Sequence, residues 1–303
     1  MASQTISAEF DPRRVVLGPN DGRPRIIHTM VRVQDLDASL RFYEGGLGMQ
    51  VLDRFTLEAK RATAIFVGFD DHDAGAPLEL TRYWDDEGPY THGSGYGHAA
   101  VGVSDAPEVF ARLEAMGAQV IMRPGVLVPG GPCCAFVKDP DGYAIEIVET
   151  SDRRELSEDF DPRRVILGPR DGKRRLLHTM LRVRDLGATL RFYEGAVGMQ
   201  VLERVDVAVK RATGVFIAFN AEDAGRALEL THYWDAETPY SHGSGYGHVA
   251  IGVLGLEAVV ARLEAAEVEI TERPSALAPG APSRAFVKDP DGYDVEFIET
   301  RRD

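Results

Sequence analysis

Cysteine is almost missing from this 303-residue chain: Cys133 and Cys134 are the only two, and they are neighbours. Adjacent cysteines make a poor disulfide pair, so a disulfide framework is excluded, and with it the small secreted scaffolds that need one. Basic charge is also short, with 34 Lys and Arg against 48 Asp and Glu and a net charge of −14. A nucleic-acid or anionic-membrane partner would require a cationic footprint, so neither is expected. Long apolar runs are lacking too. None approaches the ~20 residues that span a bilayer, and Met1 to Phe10 is polar, without the apolar centre of a secretory leader. The expected location is the cytoplasm. What remains is ordinary globular composition, 44% apolar and 27% charged, in a chain long enough for two domains that each bury a core.

The chain repeats itself. Ile27-His28-Thr29-Met30, Leu78-Glu79-Leu80-Thr81, Tyr96-Gly97-His98-Ala99 and Ala144-Ile145-Glu146-Ile147 each recur 150 positions later, around His178, Glu229, His248 and Glu296. Such self-similarity defines halves 1–150 and 151–303. Even the lead-in is duplicated, Phe10-Asp-Pro-Arg-Arg-Val returning at Phe160; its Pro and Gly content reads as an irregular arm. Cys133 and Cys134 are not duplicated, since Ser283 and Arg284 replace them, and they read as plain strand residues rather than a catalytic pair.

Within each half a second, looser repeat is visible. His28 to Val33 alternates and is rich in β-branched residues, as a strand requires. Asp35 then serves as a helix cap, with Leu36, Leu40 and Tyr43 at helical spacing and Gly45-Gly46 as the stop. Strand-like runs follow at 49–55, 63–69 and 78–83. The same βαβββ order returns from His98: a strand to Val103, a helix opened by Asp105-Ala-Pro107 with Val109, Phe110, Leu113 and Met116 as its buried stripe, and strands near 119–122, 134–138 and 143–149, the last two joined by the turn Asp139-Pro-Asp-Gly142. Four βαβββ units result, at about 26–83, 96–149, 176–233 and 246–299.

His28 opens its unit and Glu79 sits in the fourth strand; His98 and Glu146 hold the same places in theirs. Any one of these residues alone reads as a solvated or hydrogen-bonded side chain. A carboxylate in an apolar strand, however, is costly unless it is paired or bound to a cation, and four His and four Glu at matched points favour metal binding. His72, His92, His232 and His242 fit no such pattern and read as surface residues.

These motifs, together with Arg41-Phe-Tyr-Glu44, Leu47-Gly-Met49, Gly95-Tyr-Gly-His98 and Ala135-Phe-Val-Lys-Asp-Pro-Asp-Gly-Tyr143 and their counterparts in the second half, resemble glyoxalase I (lactoylglutathione lyase) of the vicinal oxygen chelate superfamily. The resemblance implies an α+β fold in which the four units form two curved mixed sheets about a pseudo-two-fold axis. In that family two copies usually form a homodimer with metal sites between them, so the duplication implies a dimer fused into one chain, a monomer with pseudo-dimeric architecture. One site would join His28 and Glu79 to His248 and Glu296. The other would join His178 and Glu229 to His98 and Glu146. Two imidazoles and two carboxylates suit a divalent first-row ion and leave positions open for substrate. Two ions per chain are expected, nickel or cobalt favoured by closeness to the compact bacterial forms, with zinc, manganese or iron as alternatives.

The family's reaction turns the hemithioacetal of methylglyoxal, or another 2-oxoaldehyde, and glutathione into a 2-hydroxyacyl thioester, S-lactoylglutathione. By resemblance Glu146 and Glu296 are the proton-shuttling bases, with the metal stabilising the enediolate as a Lewis acid, and Glu79 and Glu229 are companion carboxylates. Arg32 and Arg182 match the arginine used toward glutathione. The asparagine usual four residues after the first Glu is here Tyr83 and Tyr233, and the loop lysine is missing from 126–132 and 276–282, so a different thiol or a glutathione-free substrate stays in view. An extradiol-type dioxygenase would use iron with two His and one carboxylate, which the extra Glu79 and Glu229 disfavour. A metal-free binding or resistance protein on the same fold would have no need of four matched ligands.

Overall fold

The structure, a computed structural model, describes residues 22–69, 76–127, 131–150, 173–220, 226–236, 238–277 and 280–300. The duplicated arm, His72 and most of the connector that follows Phe160 lie outside these residues. Among the described residues no helix is long and apolar enough to cross a membrane.

Among the described residues sixteen strands form two eight-stranded mixed sheets. The first unit runs β1 Arg25–Arg32, α1 Leu36–Leu40, β2 Gln50–Leu57, β3 Ala62–Gly68 and β4 Leu78–Tyr83; the second runs β5 Tyr96–Val103, α2 Ala106–Ala115, β6 Gln119–Val126, β7 Cys133–Lys138 and β8 Ala144–Glu149. The second half repeats them as β9 Arg175–Arg182, α3 Leu186–Leu190, β10 Gln200–Val207, β11 Ala212–Ala218 and β12 Ala227–Tyr233, then β13 Tyr246–Val253, α4 Leu256–Ala265, β14 Ile270–Ala276, β15 Ser283–Lys288 and β16 Asp294–Glu299. The βαβββ reading of the sequence is the observed fold.

Local chemistry explains the elements. Asp35 caps α1 by accepting from the N–H groups of Asp37 and Ala38, and Asp105 caps α2 by accepting from that of Glu108, each satisfying donors that the first turn leaves open. From Arg41 the first helix widens into a π-helical turn to Gly46. Tyr43, fully buried there, donates its hydroxyl to Asp139 at 2.8 Å, and Asp139 also accepts the N–H groups of Asp141 and Tyr143, so one carboxylate ties the helix to the Asp-Pro-Asp-Gly turn. Val109, Phe110 and Leu113 face the core as expected, but Met116 is 48% exposed. It stands at the C-cap, one residue before Gly117 at φ +89°, where the chain leaves the helix and the 3.6-residue period no longer sets which way a side chain points.

The sheets cross the halves. One has the order β14-β15-β16-β13-β1-β4-β3-β2 and the other β10-β11-β12-β9-β5-β8-β7-β6, so each combines one unit from either half. Antiparallel pairs β1–β13 and β5–β9 make the joints. On the pseudo-axis the Thr29 and Thr179 hydroxyls meet at 2.7 Å and the rings of Tyr96 and Tyr246 stack at 5.2 Å. The apolar cores divide differently. One cluster draws almost wholly on the first half, from Val31 and Tyr43 to Leu113 and Ile147, and the other on the second, from Val183 and Tyr193 to Leu263 and Phe297.

Strand alternation connects core and site. In β4, Leu78 and Leu80 enter a core while Glu79, Thr81 and Tyr83 line a cavity on the opposite face; in β16, Val295 and Phe297 are core while Glu296 and Ile298 line that cavity. The helix cap offers a direct check: Asp105→Ala should lower stability by about 1 kcal/mol, read as a shift in urea midpoint. An unchanged midpoint would show that the cap contributes nothing.

Candidate metal centres

Both sites are built at the cross-half joints. At the first, His28 Nε2 lies 3.1 Å from Glu79 Oε2, 3.2 Å from His248 Nε2 and 3.6 Å from Glu296 Oε2, and His248 Nε2 lies 3.0 Å from Glu296 Oε2. The second repeats this: His98 Nε2 is 3.2 Å from Glu146 Oε2, 3.2 Å from His178 Nε2 and 3.6 Å from Glu229 Oε2, while His178 Nε2 is 3.2 Å from Glu229 Oε2 and 3.5 Å from Glu146 Oε2. Each cluster therefore takes one His–Glu pair from either half.

The surroundings hold these atoms in place. Each imidazole meets a phenylalanine edge-on, His28 with Phe66, His178 with Phe216, His98 with Phe136 and His248 with Phe286, at ring separations of 5.2 to 5.3 Å. Thr81 donates its hydroxyl to Glu79 Oε1 at 2.6 Å and Thr231 to Glu229 Oε1 at 2.8 Å, which leaves the Oε2 atoms turned to the histidines. The glycine before His98 and before His248 gives a methionine room: a Cβ at Gly97 or Gly247 would stand 2.3 Å from the sulfur of Met180 or Met30, which would have to move aside.

Three donors in each cluster, His28, Glu79 and His248 in one and His98, His178 and Glu229 in the other, lie within 4.8 Å of one another, and Glu296 and Glu146 stand against the histidines of their clusters, an arrangement that suits a cation. Ligands held about 2.1 Å from a first-row ion stand roughly 3 Å apart along a coordination edge, and the observed separations of 3.0 to 3.6 Å match that spacing. In the absence of an ion, protons must bind the same atoms together. Burial works against a charged His28, but its hydrogen bonds to Glu296 and Glu79 outweigh that cost and raise it to about 9; His178 is raised to about 9 by Glu146 and Glu229 in the same manner. All four carboxyls are held below the usual range: burial opposes this, and the neighbouring imidazoles prevail.

Other residues complete the setting. The first cluster opens into a cavity of about 490 Å³ lined also by Arg32, Tyr83, Lys60 and Arg284. The Arg32 guanidinium donates to the carbonyls of Ser244 and Tyr246 and stands over the Tyr83 ring; Arg182 does likewise with Ser94, Tyr96 and Tyr233. Arg182, Tyr233 and Lys210 share an open groove with Arg211 and Tyr240. Lys60, Lys210 and Arg284 were not anticipated as site residues. Arg284 shares the face of Phe286 and Lys288 by strand alternation and could have been found that way, whereas Lys60 and Lys210 end short 3₁₀ turns that follow no sheet period. Cys134 is buried beside Glu146, and burial followed by that carboxylate pushes its thiol up to about 12, so it stays protonated near neutrality and is no nucleophile. His92 and His242 are not free surface groups: both are half-buried, bonded at 2.9 Å to the carbonyls of Asp141 and Asp291, and set against Tyr143 and Tyr293.

The family model of the Glyoxalase/Bleomycin resistance protein/Dioxygenase superfamily matches residues 25–147 and again 175–297. A lactoylglutathione lyase of Oryza sativa subsp. japonica is 31% identical over 302 residues, covering 96% of this chain and 95% of the rice protein. The chain belongs to the glyoxalase I family. The crystal structure of glyoxalase I from Zea mays superposes with a TM-score of 0.78 at 30% identity, covering 92% of this chain and 93% of that one. A lactoylglutathione lyase of Neisseria meningitidis is 44% identical over 125 residues, which is 90% of its length but only 41% of this chain. Family members thus occur at the length of one half and at the length of the whole.

The ionised pairs predict a pH response of the metal-free protein. A histidine raised from 6.5 to about 9 by folding stabilises fully below 6.5, and its contribution fades as the pH climbs through 9; the depressed carboxyls act the opposite way, losing their contribution only in acid. After chelator treatment the urea midpoint should fall between pH 6.5 and 9. A flat or rising midpoint across that window would reject the ionised pairing.

Proposed function

We propose that this chain is a divalent-metal-dependent lactoylglutathione lyase that converts the hemithioacetal of a 2-oxoaldehyde, methylglyoxal foremost, and glutathione into the 2-hydroxyacyl thioester. The observation that carries this reading is the pair of clusters in which two histidines and a glutamate gather within 4.8 Å of one another and a second glutamate stands 3.0 to 3.6 Å from both histidines. His28, Glu79, His248 and Glu296 would hold one ion and His98, Glu146, His178 and Glu229 the other, with nickel or cobalt as the preferred metals. Such an ion supplies Lewis acidity beside the substrate oxygens.

The proton transfer falls to the chain. Glu146 or Glu296 takes the proton from the carbon that carries sulfur, and the electron pair forms a double bond to the neighbouring carbonyl carbon as the carbonyl π pair moves onto its oxygen. The same carboxyl returns the proton to that neighbouring carbon while the hydroxyl proton passes from the first oxygen to the second, leaving a thioester carbonyl and a 2-hydroxyl. Nothing is oxidised or reduced overall. Glu79 and Glu229 are the companion carboxylates, aligned by their threonine hydroxyls. Arg32 and Arg182, with Tyr83 and Tyr233 beneath them, sit at the cavity walls where the glutathione carboxylate would reach. Lys60 and Lys210 add positive charge where the loop lysine is missing. The chain would act as a cytoplasmic monomer whose pseudo-two-fold axis takes the place of a dimer axis.

Two measurements test the reading. Metal analysis of fully loaded protein should approach two ions per chain, and saturation at one would remove a site. Changing Glu146 and Glu296 together to Gln should lower kcat by at least 100-fold while KM moves little, as removal of a general base requires. Near-normal turnover in a double variant that still holds metal would eliminate both residues as bases.

A further inference from the structure

The two sites share their ligand types but not their walls. On β7, β8 and their partners the second site presents Met122, Cys134 and Ala144 where the first presents Glu272, Arg284 and Asp294 at the same register positions. Arg284 donates to Glu296 Oε1 at 2.8 Å, reaches toward Glu272 at 3.5 Å and stacks over Phe286, while Lys288 pairs with Asp294 at 2.8 Å. A charged network therefore forms one side of the first cavity. In the second site Met122, Leu127 and Phe136 pack instead on an apolar cluster of Ala100, Cys134, Val148 and Leu177.

The opposite wall differs in size. Phe55 and Ala64 pair in register and line the first cavity; Val205 and Gly214 pair at the equivalent positions of the second. Phenylalanine to valine and alanine to glycine both remove volume on the ligand-bearing face. A Cβ on Gly214 would stand 3.0 Å from Glu229 Oε1, so Glu229 leans into the room that the Ala64 methyl takes in the first site, and the widening of this wall comes from Val205. The Glu146 and Glu229 side chains are correspondingly more open, at 12% and 17%, than Glu296 at 5% and Glu79 at 11%.

We propose that the two sites divide the oxoaldehyde substrates by the group carried on the carbonyl: the wider apolar site of His98, Glu146, His178 and Glu229 takes adducts with bulky apolar substituents, aryl or branched alkyl, and the narrower charged site of His28, Glu79, His248 and Glu296 takes small ones. This rests on the isomerase reading above. An apolar group against Arg284 and Glu272 would desolvate an ion pair without replacing its hydrogen bonds. Against Met122 and Cys134 it removes only apolar surface from water, which is favourable.

Single-site forms separate the two. Glu296→Gln leaves the wider site in service and Glu146→Gln the narrower, and for each the kcat/KM for the phenylglyoxal adduct of glutathione is divided by that for the methylglyoxal adduct. That ratio should be about 10-fold or more higher in Glu296→Gln, the scale on which pockets discriminate apolar groups. Adding Val205→Phe with Gly214→Ala, residues the other site already carries, should bring it down toward the ratio of Glu146→Gln. Equal ratios in the two forms, or no response to the added pair, would overturn the division. Calorimetric binding of S-benzylglutathione and S-methylglutathione to the metal-loaded protein with and without Val205→Phe and Gly214→Ala keeps the inference distinct from the isomerase reading. Loss of turnover everywhere with S-benzylglutathione binding weakened by the added pair and S-methylglutathione binding unchanged would defeat the reaction and keep the division; S-benzylglutathione binding indifferent to the pair would defeat the division.

Discussion

The two candidate metal centres depend on two antiparallel strand pairings, β1 with β13 and β5 with β9. Neither half contains a complete set of four ligands facing one point, because the two His–Glu pairs of a half belong to different sheets. Pairing across the halves continues each sheet to eight strands and, in the same act, sets His28 beside His248 and His98 beside His178 at 3.2 Å. Backbone hydrogen bonds far more numerous than the ligands thus fix the donor atoms before any ion is bound, which is the preorganisation a metal site needs.

Burying four carboxylates and four imidazoles is expensive in the absence of compensation. The chain meets that cost by mutual pairing, by threonine hydroxyls on the outer carboxylate oxygens and by phenylalanine edges against every ring. His28 and His178 have no hydrogen-bond partner at Nδ1 among the described residues, so packing rather than a second-sphere acceptor orients those two rings. The stacked Tyr96 and Tyr246 and the paired Thr29 and Thr179 hydroxyls hold the axis between the sites.

Much of this was legible in the residues. Two-residue alternation in Leu78-Glu79-Leu80-Thr81 separates core from cavity, and the caps at Asp35 and Asp105 announce their helices. The duplicated spacing marks out the ligands as a set. What the residues could not decide by themselves is which His–Glu pairs meet, since pairing within a half uses the same side chains as pairing across. That choice belongs to strand partnership at long sequence separation, and only the resemblance to a dimeric family spoke to it. Met116 departs from the buried stripe because α2 ends at Ala115 and the helical period stops with it. Lys60 and Lys210 escaped notice because a 3₁₀ turn has no facial pattern to follow.

The division of the apolar cores has a consequence for how the molecule comes apart. Each half buries a core drawn almost wholly from its own residues, so the contacts that make a half compact are not the contacts that make a site. Partial unfolding that separates the halves would break both ligand sets at once while leaving two largely intact cores behind. If the proposed ions bind at these joints, metal affinity would report docking of the halves, and either ion would act as a rivet between them.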